Sequence, residues 1–206
     1  MLKNLELSKE KVTDFADHIH STCQHMFELI TNILDVNTID SGKMDMSLRA
    51  VDILPIFQWL VRSYKERGEA KDITLHFQSS VGKKYAVMAD ETIMRQVCDN
   101  LISNAVKYSP HGKQIYVRLS QDDKQVHCEI QDEGPGLSEK DQQKLFNPFT
   151  RLKPKPTGGE HSTGLGLFIV KKLVETMDGK VWCESVLGQG ATFIVEFPRA
   201  AESSPN

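Results

Sequence analysis

The sequence predicts an α+β fold: a two-layer sandwich of helices on a sheet, preceded by one long bundle-forming helix. Three observations carry this expectation. Residues 8 to about 42 place apolar side chains at heptad spacing, which is a helical signature. The last four strand-like segments fall into two pairs joined by short turns, as hairpins do. Helices come in blocks rather than in strict alternation with strands, so the pattern fits a doubly wound parallel sheet less well.

Composition narrows the class. At 206 residues, with 39% hydrophobic and 26% charged residues, the chain suits one good core plus an appendage, or two small domains. A formal net charge of -3 argues against a generic nucleic-acid or acidic-membrane binder. No apolar run is long enough to span a bilayer and the first residues, MLKNLELSKEK, lack a secretory core, so a cytoplasmic location and no membrane contact are expected. Cys23, Cys98, Cys128 and Cys183 stand singly, which indicates neither disulfides nor a zinc knuckle and reads as small buried apolar residues. His18, His20 and His25 form a local group without a metal-binding spacing.

Taken in order, the first helix opens at Ser8. Val12, Ile19, Met26 and Ile33 are spaced by seven, as are Phe15, Leu29 and Val36, while Ala16, Cys23 and Ile30 widen the stripe. One helix cannot bury such a face, so a partner helix is expected, and packing on the chain's own globular part is the weaker alternative. Gly42 is a suitable stop. SLRAVDI is a short strand, and residues 53 to 67 form an amphipathic helix carrying Ile56, Leu60, Val61 and Tyr64, closed by Gly68. Strands follow at 73 to 78 and 85 to 89.

Asp90 then caps a helix that runs to Pro110, with Ile93, Val97, Leu101 and Val106 on its buried face. Beyond it, QIYVRLS and VHCEIQD alternate around QDDK as a hairpin. A short helix from Ser138 to Leu145, a loop, a helix from Gly164 to Met177 and a terminal hairpin around LGQG complete the fold. AESSPN reads as a frayed tail.

The helix from Asp90 carries an unusual polar stripe. Asn100 and Asn104 stand one turn apart, with Lys107 three residues on. An Asn oxygen is a hard neutral ligand for Mg²⁺, and a lysine offsets phosphate charge, although the same residues also suit a solvated face. Three glycine groups sit where strands and helices meet. In Asp132-Glu133-Gly134-Pro135-Gly136 the glycines permit close backbone approach and the carboxylate can accept from an exocyclic amine. Ser162-Thr163-Gly164-Leu165-Gly166-Leu167 opens a helix whose free N–H groups suit phosphate. Gly188-Gln189-Gly190 reads most simply as a hairpin turn.

In order and spacing, NLISNAVKYS at 100 to 109, DEGPG at 132 to 136, FNPFTR at 146 to 151, TGLGL at 163 to 167 and GQGATF at 188 to 193 resemble the N, G1, F, G2 and G3 boxes of sensor histidine kinases. These kinases belong to the ATPase superfamily that includes gyrase and MutL. The resemblance runs from about Leu7 to Pro198, since NILDVNTIDSGKM looks like the second helix of their dimerisation and phosphotransfer domain.

It implies the Bergerat sandwich, a mixed sheet and three helices holding ATP and Mg²⁺ under a lid. The implied domains are a partial dimerisation helix (1–47), a catalytic ATP-binding domain (48–200) and a flexible tail (201–206). Asn104 would supply the metal ligand and Asn100 a phosphate contact or a metal-bound water. Lys107 would neutralise phosphate and Tyr108 lie against the nucleotide. Asp132 would accept from the adenine amino group, with Gly134 and Gly136 letting the ring approach. Phe146 and Phe149 would anchor the lid and Arg151 sit near the γ-phosphate. Thr163, Gly164, Leu165, Gly166 and Leu167 would seat the phosphates, and Thr192 would complete the site.

Two departures stand out. The G2 segment begins Ser162-Thr163 where the usual pattern has glycine, and none of the seven histidines sits in the H-box pattern of histidine, acidic residue and nearby proline. The phosphoacceptor helix is therefore expected to lie outside this sequence, and autophosphorylation of the chain by itself is not expected. Implied partners are a histidine-bearing helix, a response regulator receiver domain and a second copy through the first helix. A nucleotide-sensing scaffold and a protein serine kinase of the same superfamily are the alternatives.

Overall fold

The computed structural model describes residues 9–41, 45–150, 152, 156–157 and 163–200. The expectations at Ser8, Gly42, Arg151, Ser162 and the tail lie outside these residues. The described elements follow the expected order. Helix α1 is Lys9–Asp40, β1 Arg49–Asp52, α2 Leu54–Glu69, β2 Thr74–Gln78, β3 Ala86–Ala89 and α3 Glu91–Tyr108. Then come β4 Gln114–Gln121, β5 Gln125–Asp132, α4 Glu139–Gln142, α5 Gly166–Thr176, β6 Lys180–Ser185 and β7 Ala191–Pro198.

Five strands form one mixed sheet in the order β2-β4-β5-β7-β6. Thr74 lies opposite Gln114 in the parallel β2–β4 pair, and the other three pairings are antiparallel. Strands β1 and β3 make a separate antiparallel pair, which is tied to the end of β7 through Val87 and Arg199. Strict alternation puts Ile115, Val117, Leu119, Val126, Cys128 and Ile130 on the buried face. Helices α2, α3 and α5 cover that face with residues such as Phe57, Leu60, Met94, Leu101, Ile169 and Leu173, all at most 1% exposed. Each such side chain contributes about 1.5–3 kcal/mol on burial.

Local chemistry sets the helix starts. Asp52 Oδ1 accepts from Leu54 N at 3.1 Å, and Pro55 occupies the first turn of α2, where its missing N–H costs nothing. At α3, Asp90 Oδ1 accepts from Thr92 N and Ile93 N at 2.9 and 3.2 Å, while Oδ2 takes Ser47 N at 3.1 Å. One carboxylate thus caps the helix and fixes the incoming chain.

The structure corrects four expectations. Gly68 lies inside α2 instead of closing it: a methyl group there would stand 2.7 Å from Leu75 Cδ1 and 2.8 Å from the Ile73 carbonyl oxygen, so glycine lets β2 pack close. Helix α5 begins at Gly166, two residues later than Gly164, whose φ of +72° is not helical. Cys23 is exposed, unlike the buried Cys98 and Cys128. Finally, the last turns of α1 pack on the globular part, with Val36 and Ile39 against the core and Asp35 Oδ2 accepting from Gln96 Nε2 at 2.7 Å. Val12, Phe15, Ile19, Met26 and Ile33 of the heptad stripe remain exposed. Among the described residues, no helix is long and apolar enough to cross a membrane.

Candidate functional site

The polar stripe of α3 is half-buried between two glycine-bearing segments. At its start, Asn100 Nδ2 donates to the Gln96 carbonyl at 3.0 Å, and a methyl group on Gly166 would stand 3.0 Å from Asn100 Oδ1. The absence of a side chain at Gly166 is therefore what lets α5 begin against that carboxamide. At the other end, a methyl group on Gly134 would stand 3.1 Å from the Tyr108 carbonyl oxygen and 2.7 Å from Asp132 Oδ1. Asn104 lies one turn from each of these contacts and makes no side-chain hydrogen bond among the described residues. Lys107, on the same stripe, has no ion pair among them either.

Asp132 closes β5 and faces inward, 5% exposed. Its Oδ1 accepts from Gly134 N at 2.8 Å and Ala191 N at 3.3 Å, which leaves Oδ2 for an incoming donor. Burial pushes the carboxyl up to about 6, against the pull of those two N–H groups. Burial, and next the Asp132 charge, likewise push the Cys183 thiol up to about 12, so a neutral thiol lines the same recess. Gly136, at φ +65°, and Gly190, at φ +90°, fold the G1 and G3 turns together: methyl groups on them would fall 2.1 Å from the Val186 and 2.0 Å from the Asp132 carbonyl oxygens.

The phosphate-type loop is built from backbone. Thr163 Oγ1 accepts from Leu165 N at 3.2 Å and from Asn32 Nδ2 of α1 at 3.3 Å. Leu165 is fully buried and caps nothing with its side chain, so the first N–H groups of α5 are left for an anion. Gly164 packs on the backbone of Phe149 and Thr150. Thr157, at the far end of that loop, donates through N to the Lys107 carbonyl at 2.9 Å and through Oγ1 to the Ser109 carbonyl at 2.6 Å.

Most of the expected site residues thus converge, and two do not. Thr192 pairs with Gln131, and alternation puts both on the face of the sheet opposite Asp132; Ala191 is the residue that faces the carboxylate. Counting outward from an inward Asp132 along the ladder identifies Ala191, a pairing that glycine spacing alone does not reveal. Phe149 is 69% exposed with φ +57°, so it is not a buried anchor, whereas Phe146 packs on the core. Leu165 contributes backbone rather than side chain, and Leu167 is half-buried against the core.

The same segment, residues 89–201, matches the family described as histidine kinase-, DNA gyrase B-, and HSP90-like ATPase over more than half of the chain. The chain belongs to that family. Its curated relatives include the circadian input-output histidine kinase CikA of Synechococcus elongatus, 30% identical over 197 residues, which are 95% of this chain and 26% of CikA. Sensor protein EvgS of Escherichia coli K12 is 33% identical over 204 residues, 96% of this chain and 17% of EvgS.

Among solved structures, full-length ShkA in complex with AMPPNP superposes with a TM-score of 0.78 at 27% identity, over 97% of this chain and 42% of that one. The catalytic domain of histidine kinase ThkA gives 0.65 at 28% identity, over 75% of this chain and 97% of that domain. The chain spans about a quarter of CikA and less of EvgS. Within the family it is the ATP-binding catalytic domain of the sensor histidine kinase kind, and the mixed five-stranded sheet under three helices is the fold of that domain.

Proposed function

We propose that this histidine-kinase-type domain binds ATP with Mg²⁺ and passes the γ-phosphoryl group to a histidine on a helix outside this sequence. The observation that carries the reading is the inward carboxylate of Asp132. It is held through one oxygen, free at the other among the described residues, and walled by glycines at the end of a helix that presents two carboxamides and a lysine. The free oxygen accepts from the adenine amino group. Tyr108 and Gly134 bound the ring, and the N–H groups from Gly166 onward meet the phosphates together with Lys107.

The donor set also suits the metal. Asn104, whose side chain makes no hydrogen bond among the described residues, and the Oδ1 of Asn100 offer hard neutral oxygens of the kind Mg²⁺ accepts beside phosphate and water. When bound, Mg²⁺ neutralises charge on the phosphates. The chain's own residues position the nucleotide and exclude water, since phosphoryl transfer leaves the protein mainly positioning and electrostatic work. Arg151 is assigned to the transferred phosphoryl group by its place at the end of the F box.

Residues 1–47 then form part of a dimerisation and phosphotransfer unit, whose exposed stripe at Val12, Ile19, Met26 and Ile33 would meet the histidine-bearing helix or a second copy. A response regulator receiver domain would take the phosphoryl group onward, on the cytoplasmic side where ATP is supplied. The test incubates the chain with γ-labelled ATP and a peptide containing the histidine-bearing helix. Acid-labile label on histidine is expected. Acid-stable label on serine, or ATP binding without any transfer, contradicts the kinase assignment.

A further inference from the structure

Lysine is rarely buried this deeply, yet Lys71, in the turn between α2 and β2, is only 7% exposed. Its Nζ donates to the Val106 carbonyl at 2.8 Å and the Lys107 carbonyl at 3.3 Å. These are two of the carbonyls that the end of α3 cannot satisfy within the helix, and a cation there also complements the negative end of the helix dipole. Gly112 N donates to the Lys71 carbonyl at 3.1 Å, so the turn carrying the lysine is itself tied to the chain leaving α3.

The Lys107 carbonyl is shared. It also accepts from Thr157 N at 2.9 Å, so the segment following the F box docks where Lys71 holds the helix end. One residue further, the Tyr108 carbonyl forms the wall against Gly134, next to Asp132. A single buried ammonium therefore fixes the carbonyl end that both the adenine-side wall and the Thr157 docking point depend on.

We propose that Lys71 is a positioning residue for nucleotide binding, acting through the backbone of Val106, Lys107 and Tyr108 without touching the nucleotide. The inference rests on the ATP-binding reading above. Removing the ammonium while keeping the stem's bulk, as in Lys71→Met, leaves two buried carbonyls without that donor, and the last turn of α3 and the docked Thr157 shift together.

The test uses the full chain and two readouts. Calorimetric ATP affinity in Mg²⁺ is expected to fall about tenfold in Lys71→Met and to return to within about twofold of the parent in Lys71→Arg, whose guanidinium can serve both carbonyls. Trypsin cleavage after Arg151, measured without nucleotide, is expected to quicken severalfold in Lys71→Met and to be restored in Lys71→Arg. Lys71→Gln, which keeps an N–H donor group on a shorter, uncharged stem, carries the same two measurements should Lys71→Met not fold, with intermediate changes expected. A lowered Tm with unchanged affinity and unchanged cleavage, or a failure of arginine to restore either, overturns the proposal. Because the cleavage arm needs no nucleotide, a parent chain that binds no ATP would refute the ATP reading, while the hold of Lys71 on the end of α3 and on Thr157 is still decided by cleavage.

Discussion

Asp132 and Ala191 face each other across the β5–β7 ladder, and the Ala191 N–H reaches the Asp132 carboxylate itself, 3.3 Å from Oδ1. The ladder therefore spends a backbone donor on orienting a side chain. With the Gly134 N–H on the same oxygen, the carboxylate is fixed in rotation and Oδ2 is left to recognise a ligand.

Asp132→Asn keeps an acceptor for both N–H groups and replaces the free oxygen with a donor. ATP affinity should fall about 100-fold, the equivalent of about 3 kcal/mol for a lost acceptor opposed by a like group. Stability should move the other way. The folded carboxyl titrates at about 6, above its ordinary value of 3.8, so its favourable contribution is full below about 3.8 and lost as pH rises through 6. At pH 7 the asparagine variant should thus unfold at a temperature equal to or above the parent's, with the difference shrinking as pH is lowered toward 4. Parallel melts from pH 4 to 7.5, with calorimetry of ATP binding, check both halves.

The two faces of β7 make opposite predictions for neighbouring residues. Thr192→Ala should leave ATP affinity within about twofold, because its side chain lies on the far side of the sheet from Asp132. Ala191→Leu should abolish binding by filling the inward position beside the carboxylate. Equilibrium binding by the two purified variants tests the assignment of faces.

Gly188 and Gly190 separate conformational from steric need. Both have positive φ, but a methyl group at Gly188 meets nothing within 4 Å, while one at Gly190 falls 2.0 Å from the Asp132 carbonyl oxygen. Gly188→Ala should cost about 1 kcal/mol of left-handed strain. Gly190→Ala should cost several times that, because the G1 and G3 turns must part. Urea titrations give the comparison directly.

Much of this arrangement was legible from residue order. The cap at Asp90, the helical stripe through Asn100 and Asn104, and both hairpins follow from local rules of period and turn chemistry, and the structure reproduces them. What escaped depends on residues distant in the chain. The parallel pairing of β2 with β4 and the separate β1–β3 pair have no local signal. Gly68 looked like a helix stop because its reason, the close approach of Leu75, lies across the α2–β2 turn. Nothing in the residues around Lys71 marks it, since the carbonyls it meets belong to α3. The heptad stripe of α1 has the spacing of one seam, yet its last turns also serve the globular part, where Asp35 and Asn32 meet Gln96 and Thr163.

Asn104→Ala should remove most Mg²⁺-dependent ATP binding while leaving Tm within about 2 °C, because the half-buried carboxamide makes no side-chain hydrogen bond among the described residues. Binding measured with Mg²⁺ and with excess chelator separates the metal's share. Unchanged affinity in this variant would take Asn104 out of the site.

The most direct measurement compares ATP with GTP on the unmodified chain in Mg²⁺. Adenine offers an amino donor where guanine offers a carbonyl oxygen, so a carboxylate that reads the base must discriminate between nucleotides whose phosphates are identical. The account predicts saturable ATP binding with GTP at least about 100-fold weaker, and loss of that preference in Asp132→Asn. Equal affinity for the two nucleotides, or no binding of ATP, would contradict it.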